Sequence, residues 1–210
     1  MYFEILKHME KSLANYSAHP DYNIVEAKEV FFELTGSAHE EDEEFEQKMN
    51  CFNDWYVLQY IPKHITTRTT VIHEYVAENS LGSDLIRSLS SFNHSIFELK
   101  KINRQDQIVL DDLLHRRKII LAPNHPTVAL VEEDIFVGRT VACEEGNYLF
   151  KGLCILPRDT KTLITKQAKK IHKLEGKEEE LKFLLYLEFL NTKRLRYGHV
   201  DAKKIFQFGA

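Results

Sequence analysis

Hydrophobic side chains recur along this chain with two different periods. Up to about Leu89 they repeat every three or four residues. From Ile96 to Leu156 they alternate or run in short stretches broken by Gly, Asn and Pro. From Thr160 to Phe189 the helical spacing returns. Helix, then strand, then helix is the order this predicts.

The helical lead divides at its turn residues. Phe3, Leu6, Met9, Leu13 and Tyr16 form one apolar stripe, and Pro20 breaks it. Asp21 is placed to cap a second helix, with Ile24, Ala27, Val30, Phe31 and Leu34 facing inward and Gly36 stopping it. The run His39–Glu46 is sharply acidic, which suits a helix start, where free N–H groups carry partial positive charge. That third helix continues through Phe45, Met49, Phe52, Trp55 and Leu58 to Pro62. Thr66–Thr70 reads as the entry to a helix with Val71, Ile72, Tyr75 and Val76. Ser83 is placed to cap a short one with Leu85, Ile86 and Leu89. Ser90–Ser95 reads as a loop, because its side chains compete for backbone hydrogen bonds.

Strands are expected over 95–102, 107–114, 118–121, 127–131, 135–143 and 148–156, with turns at 123–126, 132–134 and 144–147. A turn centred near Gly146 sets Cys143 opposite about Leu149. Helices follow from a cap at Asp159 or Thr160 to a stop at Gly176, and from Glu178 to Gly198, the second with Leu187 or Glu188 on its inner face. A short last element falls within 200–208. The expected fold is therefore α+β. An N-terminal helical part (1–92), a small antiparallel β-barrel of SH3-like or PilZ-like shape (93–158) and C-terminal helices (159–210) pack as one compact unit.

A barrel similar in shape to the PilZ type brings a ligand test with it. Such barrels hold cyclic di-GMP through an Arg-x-x-x-Arg pair and a loop of the form Asp/Asn-x-Ser-x-x-Gly. The pair occurs nowhere in this chain, and Asn93-His94-Ser95 leads to Glu98 where glycine is required. The ligand is not carried over.

Charge sharpens the picture. Residues 1–100 carry 8 basic and 17 acidic side chains, net −9, and residues 101–210 carry the balance, net +5. The split fits either an anionic partner at the basic end or two ends that attract each other. Lys166, Lys169, Lys170 and Lys173 recur at steps of three and four, and Lys193, Arg194, Arg196 and His199 close the next helix. If the two faces meet, Lys166, Lys169, Lys170, Lys173, Arg194, Arg196 and His199 form an anion- or partner-binding surface for a nucleic acid or nucleotide.

Other chemistry finds little support. No His-x-x-x-His pair, nucleophile elbow or glycine-rich phosphate loop is present, so no catalytic residue, metal ligand or cofactor is assigned. The acidic run lacks the spacing of a Ca²⁺ loop. Asp111, Asp112, His115 and His125 lie close in sequence and are the candidates for a dispersed active site. Three cysteines without framework spacing read as reduced thiols, and no stretch reads as a secretory signal or membrane span. The expected function is a non-enzymatic cytoplasmic binding or adaptor protein whose partner is another protein. Nucleic-acid or nucleotide binding is the alternative, and an enzyme with a dispersed site the second alternative.

Overall fold

The computed structural model describes residues 1–64, 69–123, 125–126 and 129–208. Its helices are α1 (Tyr2–Tyr16), α2 (Ile24–Thr35), α3 (Phe45–Leu58), α4 (Val71–Glu78), α5 (Ser83–Ser90), α6 (Lys161–His172), α7 (Lys177–Arg196) and α8 (Ala202–Ile205). Between α5 and α6 lie β1 (Phe92–Ile102), β2 (Ile108–Asp112), β3 (Arg117–Ile120), β4 (Ile135–Cys143), β5 (Gly146–Leu149) and β6 (Cys154–Leu156). The fold is α+β, as the change of period implies.

All strand pairs are antiparallel, in the order β3-β2-β1-β4-β5, and β6 joins the same edge of β4 further along. The sheet curls until its ends touch. Leu121 bridges Asn147, the Ala122 N–H donates to the Asn147 carbonyl at 2.8 Å, and Asn147 Nδ2 reaches the Ile120 carbonyl at 3.1 Å. The result is a half-barrel.

Strand alternation sorts side chains into separate cores. Ile96, Ile135, Val137 and Leu156 face α6, α7 and α8, whereas Phe97, Phe136, Leu110 and Leu149 fill the concave side. A third core holds α1–α5 and takes in Val141, Tyr148 and Phe150 from the sheet and Leu185 from α7. Its tyrosines are hydrogen-bonded as well as buried. The Tyr2 hydroxyl donates to the Leu149 carbonyl at 2.6 Å, and the Tyr56 hydroxyl lies 2.9 Å from the Tyr16 carbonyl. Such bonds remove the penalty of burying a phenol.

Several expectations are corrected. On α1 the buried face is Tyr2, Ile5, Met9, Ser12 and Tyr16, and Phe3 is 69% exposed. Asn23, not Asp21, caps α2, its Oδ1 accepting from the Val25 N–H at 2.9 Å. Residues 40–44 of the acidic run stay outside α3, whose first turn takes in only Glu46 of its carboxylates, because Asp42 Oδ2 accepts the His39 N–H at 2.7 Å, a local bond that competes with the helix. Gly82, not Ser83, holds the N-cap of α5. Ser90–Ser95 is not a loop: β1 starts at Phe92, and the Ser95 hydroxyl and Asn93 amide find a carboxylate partner in Asp112.

A two-residue turn sets Cys143 opposite Gly146, and Leu149 opposite Thr140. The expected strand 148–156 is broken into β5 and β6. Residues 127 and 128 and residues 66–68 lie outside the described residues, and 129–131 form no strand.

The break falls at Gly152, where α3 comes closest. The Gly152 N–H donates to Asp54 Oδ2 at 2.9 Å, and a Cβ there would stand 2.8 Å from both the Asn50 carbonyl oxygen and the Cys51 Cα. Backbone cannot yield as a side-chain tip does. Gly152→Ala is expected to lower stability by about 2 kcal/mol, within the usual range for overpacking. Gly82→Ala, with nothing within 4 Å, should change it by under about 0.5 kcal/mol. Urea titrations of the two variants check this; equal losses would refute it.

Candidate functional site

Polar side chains that an α+β core would normally exclude are gathered between α3, β4, β6 and α7. Lys48, Cys51 and Asp54 come from one side of α3, Arg139 from β4, Cys154 from β6, and Glu188 and Asn191 from α7. The Glu188 side chain is 1% exposed, and among the described residues neither of its oxygens has a hydrogen bond. The Lys48 ammonium stands 3.7 Å from Glu188 Oε2 and bonds the Thr35 carbonyl at 2.9 Å and Thr192 Oγ1 at 3.3 Å. Arg139 is fully buried and gives Nε and Nη2 to Gln59 Oε1 at 2.9 and 2.6 Å.

Burial governs the protonation of this cluster. It raises the Glu188 carboxyl against the opposing pull of Lys48 and Arg139. It lifts Asp54 to about 6, although Arg139 and the Gly152 N–H favour the charged form. It pushes the Cys154 thiol up to about 12 and Cys51 well above its ordinary value, so both stay as thiols.

Glu188, Lys48, Cys51 and Cys154 line a cleft of about 670 Å³. Leu153, Ile155, Leu156 and Pro157 form one wall, residues 42–44 another, and Arg194 and Arg196 stand at the α7 end. Strand phase decides what β6 offers there. The Phe150 N–H donates to the Arg139 carbonyl at 2.9 Å, so odd-numbered residues of β4 turn their polar groups toward the β5/β6 edge. Val137 and Ile135 therefore bond Cys154 and Leu156, their partners in the register. Ile155, between them, turns its N–H and C=O away from β4. No strand pairs with that edge among the described residues, and Ile155 is 40% exposed.

Residues 5–196 match the model of a family described as a family of unknown function, DUF7986. The chain belongs to that family. No curated protein and no solved structure matches it.

The sequence-predicted residues of this DUF7986 member fall in different places. Lys166 and Lys170 line a second cleft with Lys203 of α8, and Lys169, Lys173 and His199 are exposed without lining either cleft. Arg194 and Arg196 belong to the first cleft, where Arg194 Nε bonds Asn191 Oδ1 at 3.0 Å and Arg196 Nη2 bonds the Ser37 carbonyl at 2.7 Å. The two basic faces thus line separate clefts. Glu188 was legible only as one of two candidates for an inward position, and a carboxylate on a buried stripe was the available signal. The open edge of Ile155 had none.

The quartet of the dispersed-site reading separates too. His125 takes the Leu149 N–H on Nε2 at 2.9 Å beside the stacked rings of Tyr2 and Tyr148. Asp111 lies 3.9 Å from the Lys100 ammonium. Only Asp112 and His115 meet, with His115 Nδ1 3.0 Å from Asp112 Oδ2. His115 Nε2 then stands 3.4 Å from Glu180, and Glu180 stands 3.3 Å from His172 Nδ1. Among the described residues no group of His, Cys, Asp or Glu side chains is arranged to hold a metal ion.

Burial alone would raise Asp112, but hydrogen bonds from His115 and Ser95 overrule it and hold the carboxyl at about 2. The bond from Asp112 in turn raises His115. Asp112 thus stabilises the fold above the ordinary carboxylate range, and that contribution fades as pH falls toward 2. His115 stabilises it below the ordinary imidazole value near 6.5, and its contribution is lost as pH rises through the raised value. His115→Gln should lower the melting temperature more at pH 5.5 than at pH 8.5. An equal loss at both would refute the pairing.

Proposed function

We propose that this chain is a non-enzymatic binding or adaptor protein of the cytoplasm, whose β6 cleft takes an extended segment of a partner protein. The unpaired main chain of Ile155 carries this reading. A strand edge that offers one N–H and one C=O inside a cleft adds a peptide strand by the same bonds that build a sheet. Each such bond contributes about 1 kcal/mol net, so the apolar wall of Leu153, Ile155 and Leu195 has to supply much of the affinity.

Glu188 narrows the occupant. Its charge already has a counter-ion in Lys48, so what the floor lacks is a hydrogen-bond donor and not a cation. A neutral donor such as Asn, Gln or Ser fits there, and satisfying a buried carboxylate contributes about 1–3 kcal/mol. Three unpaired cysteines, two of them in this cleft, support a reducing compartment.

Ile155→Pro tests the reading. Proline removes the outward N–H while leaving the β4 ladder intact, because that N–H is not part of it. Random dodecapeptides displayed on phage and selected on the wild-type chain should yield binders. Their affinity should fall about tenfold or more on Ile155→Pro, with the melting temperature kept within a few degrees. Failure to enrich any sequence, or equal binding by both proteins, would overturn the proposal.

A further inference from the structure

The second cleft, between α6 and the C-terminal segment, shares no lining residue with the first. It holds about 650 Å³. Lys166 and Lys170 stand one turn apart on α6, and Lys203 faces the same space from α8. Among the described residues none of the three forms an ion pair. Lys48, Lys100, Lys161 and Lys182 each do.

Cations near a helix C-terminus are favoured by the helix dipole alone. That explains Lys169 and Lys170 at the end of α6. It does not explain Lys166 in the body of the helix, nor Lys203 brought in from a separate element. Asp159 gives the lining a single negative charge against the three.

The remaining lining is apolar and amide. Leu163 is 36% exposed, and the half-buried Phe208 ring meets Phe183 edge-on at 5.7 Å. Gln167 and Gln207 add side-chain donors and acceptors. Converging ammonium groups suit phosphate oxygens. A flat apolar surface with amides at its border suits a heteroaromatic ring, which stacks and hydrogen-bonds at its edge.

We propose that this cleft binds a nucleoside phosphate, with Lys166, Lys170 and Lys203 on the phosphates and the ring against Leu163 and Phe208. The size fits a mononucleotide: ligand pockets of about 300–1,000 Å³ take molecules of that class. The site stands independently of the β6 cleft.

Fluorescence polarisation of ADP and GDP labelled on the ribose, with the full chain, tests it. Saturable binding that weakens with salt is expected, competed by the unlabelled nucleotide and at least about tenfold less well by pyrophosphate. Lys166→Glu with Lys170→Glu should lower affinity at least about tenfold. Lys169→Glu with Lys173→Glu makes the same change of net charge at the end of that helix, outside the cleft, and should lower it less than about threefold. Phe208→Ala should weaken nucleotide binding and leave pyrophosphate binding unchanged. Pyrophosphate as good as the nucleotide would overturn the ring contact and with it the proposal. Equal losses in both lysine pairs, tighter binding of a labelled oligonucleotide than of either nucleotide, or no binding at low salt would overturn it as well. Melting temperatures within a few degrees of wild type in all variants show that these losses are not unfolding.

Discussion

One edge of β4 is shared between two strands, and much of the architecture follows from that division. The other edge is paired with β1 over seven residues, from Phe92 opposite Val141 to Glu98 opposite Ile135. On the shared edge β5 takes Thr140–Cys143 and β6 takes Ile135–Val137. The chain between them must leave the sheet and return, and it does so at Lys151–Leu153, where Asp54 of α3 holds the Gly152 amide. A three-residue β6 is what remains of the edge. Its far side is left to the cleft because α3 and α7, which flank it, present side chains and not a strand.

The same junction explains why charge is buried there. Arg139 points from β4 into the space under α3, and its guanidinium is held by Gln59. Asp54 and Glu188 face the same interior, so each carboxyl is raised by burial and lowered again by Arg139. Buried charges of this kind stabilise little in net terms, because desolvation offsets attraction. His94, opposite Arg139 in the register, is kept well below its ordinary range by burial and then by the charges of Arg139 and His115. Its neutrality keeps a second positive charge from the Arg139 side of the sheet. The junction sets positions by mutual constraint more than by net attraction.

The order of helices and strands was legible because each period reflects a face that must be buried. Ile135, Phe136 and Val137 alternate between two cores, and the run from Ile135 to Cys143 reads as a strand for that reason. The start of β1 was not legible. Asn93, His94 and Ser95 are polar, and the partner that makes a strand tolerable for Asn93 and Ser95 is Asp112, nearly twenty residues away. The acidic run 40–44 misled in the opposite sense, since a charged helix start and a turn held by Asp42 have the same composition.

Of the candidate sites, the lysines of α6 were visible as a periodic pattern, but their division between a cleft and open solvent depends on where α8 docks. The β6 cleft was invisible because its decisive feature is backbone direction. A sequence shows which side chains share a face, while the direction of one N–H depends on the register with β4. Lys48 and Glu188 come together from α3 and α7, 140 residues apart, and no local spacing reports such a meeting.

Amide hydrogen exchange at Ile155, followed by NMR in the free protein, measures the open edge directly. Cys154 and Leu156 donate to β4 and Ile155 does not, so the Ile155 amide should exchange at least about a hundredfold faster than its two neighbours. Exchange of all three at one rate, whether slow or fast, would contradict an open and ordered β6 edge.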